Sequence, residues 1–340
     1  KDKPVIRFNT GMDVSSVNNS IPMLSFDEYC DYLEARGRSL SSLFEDPATR
    51  TGCKVTPVNW QEYTLRTAIS QRYYLSVSGR PKTLSYMFSL GYNNNQGIVK
   101  NSDARQLTAR LNLDKNITKK LSVGTKIGFG YVKSNLTSSA NAKVSGAGAS
   151  LMRSMLLYRP YMTIDDDDDD DVIDPEEEDA GSGPDRWLRL YKNTRDEIRV
   201  TPSLYLQWKI VPWLTFKSTI GGDYRSTEIA KYKPNKISRQ VGSFGSVSQF
   251  DQFRYNWDNM FMANKKFAGG HTLSGTMGVS ISNSRKNTQL SEAWRIEQDR
   301  AGLPSINGGV APFTNTSYTV NEYSLASFLL RAIYNYRDRY

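Results

Sequence analysis

The sequence predicts an all-β protein, an antiparallel up-and-down transmembrane β-barrel segment of about ten strands with short periplasmic turns and long extracellular loops. Three observations carry this. In KTLSYMFSLGY (82–92), Leu84, Tyr86, Phe88, Leu90 and Tyr92 fall on one side of an extended strand, and Thr83, Ser85, Met87, Ser89 and Gly91 on the other, because successive side chains point to opposite faces. Similar runs of about 9–15 residues recur along the chain, and a strand needs roughly 9–11 to cross a bilayer. Connections between runs alternate short and long, as outer-membrane barrels segregate them.

The elements follow in order. A weakly patterned strand over 4–17 sets Ile6, Phe8 and Thr10 against Val5, Arg7 and Asn9. Ser25 or Asp27 then caps a short helix, SFDEYCDYLEARG, with Phe26, Tyr29 and Leu33 at helical spacing and Gly37 as the stop. Strand 72–79 turns at Gly79–Lys82, where Pro81 fixes the bend, and strand 82–93 follows. Strand 104–115 places Leu107, Ala109, Leu111 and Leu113 on one face and Thr108, Arg110, Asn112 and Asp114 on the other. Strand 120–134 sets Leu121, Val123, Ile127, Phe129 and Tyr131 against Ser122, Gly124, Lys126, Gly128 and Gly130. Strands 197–210 and 213–225 meet at the tight turn VPW, and 249–267 and 271–284 at AGGH. A last strand, 323–337, aligns Phe328, Leu330, Ala332, Tyr334 and Tyr336. The chain therefore divides into 1–71, first strand and first extracellular loop with its helix, and 72–340, the barrel portion. Its long loops are expected at 94–103, 135–196, 226–246 and 285–322.

Composition agrees. Of 340 residues only 38% are hydrophobic and the mean hydropathy is −0.56. No run of about 18 apolar residues exists, but barrel strands give half their residues to a wet lumen. Twenty Tyr and six Trp suit interfacial belts. A net charge of +9 admits nucleic acid as a partner, yet the cations are scattered and no nucleic-acid-binding motif appears, so none is expected. Cys30 and Cys53 share one polar connection; a disulfide and two separate thiols both stay open. The pattern alone fits a complete small barrel as well as part of a large one.

Candidate sites are few. Asp165, Asp167, Asp169 and Asp171 lie in a seven-aspartate run dense enough in hard oxygens to hold calcium, but no D-x-D-x-D-G loop accompanies them, and a solvated, self-repelling tract is the expectation. Trp187, Tyr191, Tyr232, Phe244, Trp294, Phe313 and Tyr318 fall in the long connections; such rings stack on sugars or on a partner protein, or simply pack the loops. The only histidine, His271, sits in a short turn, and no zinc spacing occurs. No enzyme activity and no cofactor are expected.

Three segments, NWQEYTLRTAISQRYYLSVSGR, YMFSLGYNNNQGIVKNSDARQLTARLNLDKNITKKLSVGTKIGFGY and SFLLRAIYNYRDRY, resemble the SusC/RagA family of TonB-dependent (TonB-linked) outer-membrane transporters of Bacteroidetes. KPVIRFNTGMDV is similar to that family's first barrel strand. The resemblance implies about 22 strands around a plug, so the 340 residues correspond to a barrel fragment, with signal, TonB-contacting segment and plug outside it. It also implies nutrient uptake, of a glycan or peptide (an oligosaccharide or peptide substrate), with a SusD-like surface lipoprotein as partner and the TonB complex acting through the plug. Outer-membrane lipid would surround the wall. A passive porin or small structural barrel, and a soluble β-rich binding protein, are the competing readings.

Overall fold

The computed structural model describes residues 3–137, 150–163, 182–237, 242–296, 302–303 and 314–337. Its strands and helices run β1 (Val5–Ser15), α1 (Phe26–Ala35), β2 (Phe44–Asp46), β3 (Thr51–Cys53), β4 (Val55–Pro57), α2 (Trp60–Thr64), β5 (Ala68–Gly79), β6 (Leu84–Gln96), β7 (Asp103–Asn116) and β8 (Leu121–Asn135). They continue as α3 (Leu151–Leu157), β9 (Tyr161–Thr163), α4 (Pro184–Leu190), β10 (Lys192–Val211), β11 (Leu214–Lys233), β12 (Phe244–Lys266), β13 (His271–Trp294) and β14 (Thr314–Tyr336). Ten strands form one sheet in the order β1-β5-β6-β7-β8-β10-β11-β12-β13-β14, each antiparallel to its neighbour. This is the expected meander.

Burial is inverted relative to a water-soluble fold. On β6 the relative exposure of Phe88 is 43% and of Leu90 40%, while Ser89 between them is 3%. Phe129 on β8, Leu204 and Trp208 on β10, and Phe253 and Trp257 on β12 are likewise exposed, on the face the alternation assigned to lipid. Registry carries this face across the sheet: Trp208 lies opposite Phe216, Phe216 opposite Phe261, Phe261 opposite Met277 and Met277 opposite Leu330. Along β10 the outward apolar band runs from Ile198 to Trp208, on β11 from Leu214 to Tyr224 and on β12 from Phe253 to Ala263, about eleven residues each, one bilayer crossing. Trp257, within this band, donates from Nε1 to Ser218 Oγ at 3.0 Å, so its polar atom is satisfied where no water is at hand.

A proline sits in the middle of β10. Pro202 lacks an N–H, and the pairing with β11 skips from Val200↔Tyr224 to Ser203↔Gly221. Gly222 stands beside it, where a Cβ would come within 3.3 Å of Pro202 Cγ. Glycine gives the proline ring its room.

The strands are longer than the alternation alone indicates. β11 continues to Lys233 and β12 starts at Phe244, so the loop expected over 226–246 shrinks to 234–243. β13 continues to Trp294 and β14 starts at Thr314, well inside the loop expected over 285–322. The five strands β10–β14 have 20–24 residues, against 11–15 for β1 and β5–β8. The excess rises about 15–25 Å above the apolar band at ~3.3 Å per residue and the usual tilt.

The small apolar core lies in the loops. Ser25 caps α1: its Oγ accepts from Glu28 N at 3.3 Å, and its N–H donates to the Glu28 carboxylate at 2.7 Å, a reciprocal box. Gly37, with φ +71°, follows the last turn. α1 presses Cys30 against Leu40, Leu43, Phe44, Val55 and Tyr161. Cys30 and Cys53 are separate thiols, the first buried and the second exposed.

Candidate functional site: the lumenal wall and its loop roof

The inner face of the sheet is polar, and its carboxylates take hydrogen bonds from side chains on the same or nearby strands. Asp223 accepts two hydrogen bonds from the Arg199 guanidinium, 3.0 and 2.8 Å, the fork geometry that makes such pairs specific. Asp258 accepts from Ser280 Oγ at 2.5 Å and from Asn256 Nδ2 at 2.9 Å. Tyr205 reaches past the neighbouring strand to Asp114, 2.7 Å away. It can do so because Gly124 lies between them; a Cβ there would fall against the Tyr205 ring and 2.5 Å from Asp114 Oδ1. Beside β14, β13 offers the lumen Ser274, Thr276, Gly278, Ser280, Ser282 and Ser284, a narrow hydroxyl column.

At the mouth the balance turns positive. Glu197 accepts from Arg195 (2.5 Å) and Arg225 (2.8 Å). Arg225 and Lys286 both face the Phe250 ring, 5.7 and 4.7 Å from its centroid, cation–π distances. Three cations thus converge on one carboxylate and one ring. Sequence reading missed this cluster, because its members lie on four strands and meet only through the registers Glu197↔Thr227, Arg225↔Gln252 and Gln252↔Lys286.

Over the shorter strands the loops fold into a roof. β4 pairs with β9, joining the connection after β1 to that after β8. Trp60 Nε1 donates to the Arg159 carbonyl at 2.6 Å, Lys100 N to Thr64 O at 3.0 Å, and Asn101 Nδ2 to Leu188 O at 2.7 Å. Arg66 ties its guanidinium to Gly97 O and Ser102 O, 3.0 and 2.9 Å.

The sequence-predicted aromatics divide between packing and surface. Trp187 is buried with Leu151 and Ile237, its ring 5.3 Å from the half-buried Tyr191. Tyr232 is buried against Ala293 and Ile296. Phe244 is buried with its ring 5.5 Å from Trp294, which is half-buried. Tyr318 is exposed on β14. Phe313 and Asp165, Asp167, Asp169 and Asp171 lie outside the described residues. His271 is in its short turn, with Nδ1 2.6 Å from Tyr334 Oη.

A single-layer meander with a greasy convex face and a paired-charge concave face defines the wall of an outer-membrane-type β-barrel. No protein-family model matches the chain. It is 26% identical over 99% of its length to TonB-dependent receptor P3 of Formosa agariphila, covering 33% of that protein. It is 33% identical over 110 residues, 32% of its length, to TonB-dependent receptor SusC of Bacteroides thetaiotaomicron, covering 10% of that protein. Among solved structures it superposes on the RagAB peptide transporter with a TM-score of 0.75 at 17% identity, covering 99% of this chain and 41% of that one. The chain is thus similar to TonB-dependent receptors along nearly its whole length, and its ten strands share the fold of the RagAB barrel wall. It spans about a third of the length of the full-length curated relatives it matches.

Proposed function

We propose that this chain forms part of the barrel of a TonB-dependent outer-membrane nutrient importer. The carrying observation is the two-sided wall: an apolar band one bilayer high outside, and paired charges and hydroxyls inside. Relatives named TonB-dependent receptors along nearly the whole chain support the energised rather than the passive reading. The substrate class we infer is an oligosaccharide or a peptide, and the partner at the long-loop end a SusD-like lipoprotein. Tyr191, Trp294 and Tyr318 retain exposed ring surface for those contacts, while Trp187, Tyr232 and Phe244 hold the loops that present them.

The test is uptake of labelled oligosaccharides and peptides by cells expressing the full-length protein, with and without a functional TonB. Import that stops when TonB is inactivated is the expected result. Import that continues undiminished would leave a passive porin.

A further inference from the structure

The outward face near the short turns holds a trough of ≈ 390 Å³ across β12, β13 and β14. Its floor is Ala263, Gly275 and Ala332, which lie side by side in register. A Cβ on Gly275 would meet only the Arg331 carbonyl oxygen, at 3.5 Å, so the depression is open rather than filled from a neighbouring strand. Phe261, Met277 and Leu330 form the wall toward the middle of the apolar band.

At the turn end stands a cation. Lys265 Nζ lies 5.2 Å from the Trp213 ring centroid and 5.1 Å from that of Phe267. It points from the lipid-facing side of β12, and among the described residues it forms no ion pair. The short turns at this end of the sheet, 79–83, 115–120, 209–213 and 264–271, carry Arg80, Lys82, Lys115, Lys119, Lys120, Lys209 and Lys266 besides Lys265, and neither Asp nor Glu. An ammonium held by two aromatic rings at the edge of a hydrocarbon band, with no carboxylate paired to it among the described residues, is complementary to an anion that itself carries hydrocarbon.

We propose that this trough binds one glycerophospholipid of the periplasmic leaflet, an acyl chain lying over Gly275 and the phosphate meeting Lys265. The trough is of ligand size and mostly apolar with one placed charge. The inference rests on the wall spanning the membrane with its short turns at the periplasm.

Native mass spectrometry of the full-length protein in mild detergent, titrated with phosphatidylglycerol and phosphatidylethanolamine, tests it. The expected result is one phospholipid retained after the others are stripped. Lys265→Gln should weaken that retention about ten-fold, and Gly275→Leu, which fills the floor, should abolish it. Heat-modifiable migration should be unchanged for Lys265→Gln, because that side chain is exposed and the strand pairing runs through the backbone. Equal retention by wild type and Lys265→Gln overturns the proposal. So does displacement of the lipid by millimolar inorganic phosphate, which would mark a phosphate site without a chain-binding trough. A protein that inserts into vesicles yet retains no lipid defeats this inference alone; one that fails to insert defeats the spanning wall itself.

Discussion

Gly124 shows how one missing side chain organises the lumenal face. Tyr205 lies across it to reach Asp114, and any Cβ would occupy that path. Gly124→Ala should therefore break the hydrogen bond and cost about 1–3 kcal/mol, as overpacking does. Gly130, on the same face of the same strand, has nothing within 4 Å of its would-be Cβ, and Gly130→Ala should be silent. The loss of heat-modifiable migration with temperature, compared between the two variants, reads the difference; equal behaviour would sink the argument. The cysteines make a second residue-scale contrast. Burial pushes the Cys30 thiol above its ordinary range, which removes the reactive thiolate, whereas Cys53 is exposed. A maleimide at neutral pH should label Cys53 within minutes and Cys30 only after denaturation, as peptide mapping would report.

Single elements carry their own signals. The Ser25 backbone N–H and then its hydroxyl hold the Glu28 carboxyl below its ordinary range. The sign follows: the capped end of α1 keeps this contribution above the ordinary Glu range and loses it as pH falls through the depressed value. Hydrogen exchange of the 26–35 amides should speed up on acidification from pH 7 to about pH 3.5 beyond the intrinsic rate change, and Glu28→Gln should flatten that response; an unchanged profile in the variant would refute it. This helix was legible from SFDEYCDYLEARG because its signals are local. The strands were legible only where they cross lipid. Between Ile198 and Trp208 one face must be apolar and the other wet, so alternation is forced. Over Ser226–Lys233 or Thr314–Glu322 water lies on both sides, alternation has no cause, and those stretches resemble loops. The Arg225–Phe250–Lys286 cluster was illegible for a further reason: register, not spacing, brings its members together.

At the scale of the whole molecule the two faces predict opposite tolerance to the same charge. Ile220 projects outward near the middle of the β11 band and is half exposed; Thr219, its neighbour, faces the lumen. Ile220→Lys should cost about 2–4 kcal/mol of folding into a bilayer, and Thr219→Lys little. Refolding of the full-length protein into lipid vesicles, followed by gel migration, separates them, and equal yields would deny that the outer face meets hydrocarbon. The sheet also ends in two unpaired strands, β1 and β14, each bonded on one side only.

The unequal strand lengths divide the rim into a parapet and a doorway. Where β10–β14 stand tall, the barrier to entry is continuous hydrogen-bonded ribbon, and trimming a connection there merely lowers the battlement. Where β5–β8 stop near the bilayer, the barrier consists of folded connections stitched together by Trp60, Arg66 and Asn101. Excising those would leave an aperture in the wall above β5–β8.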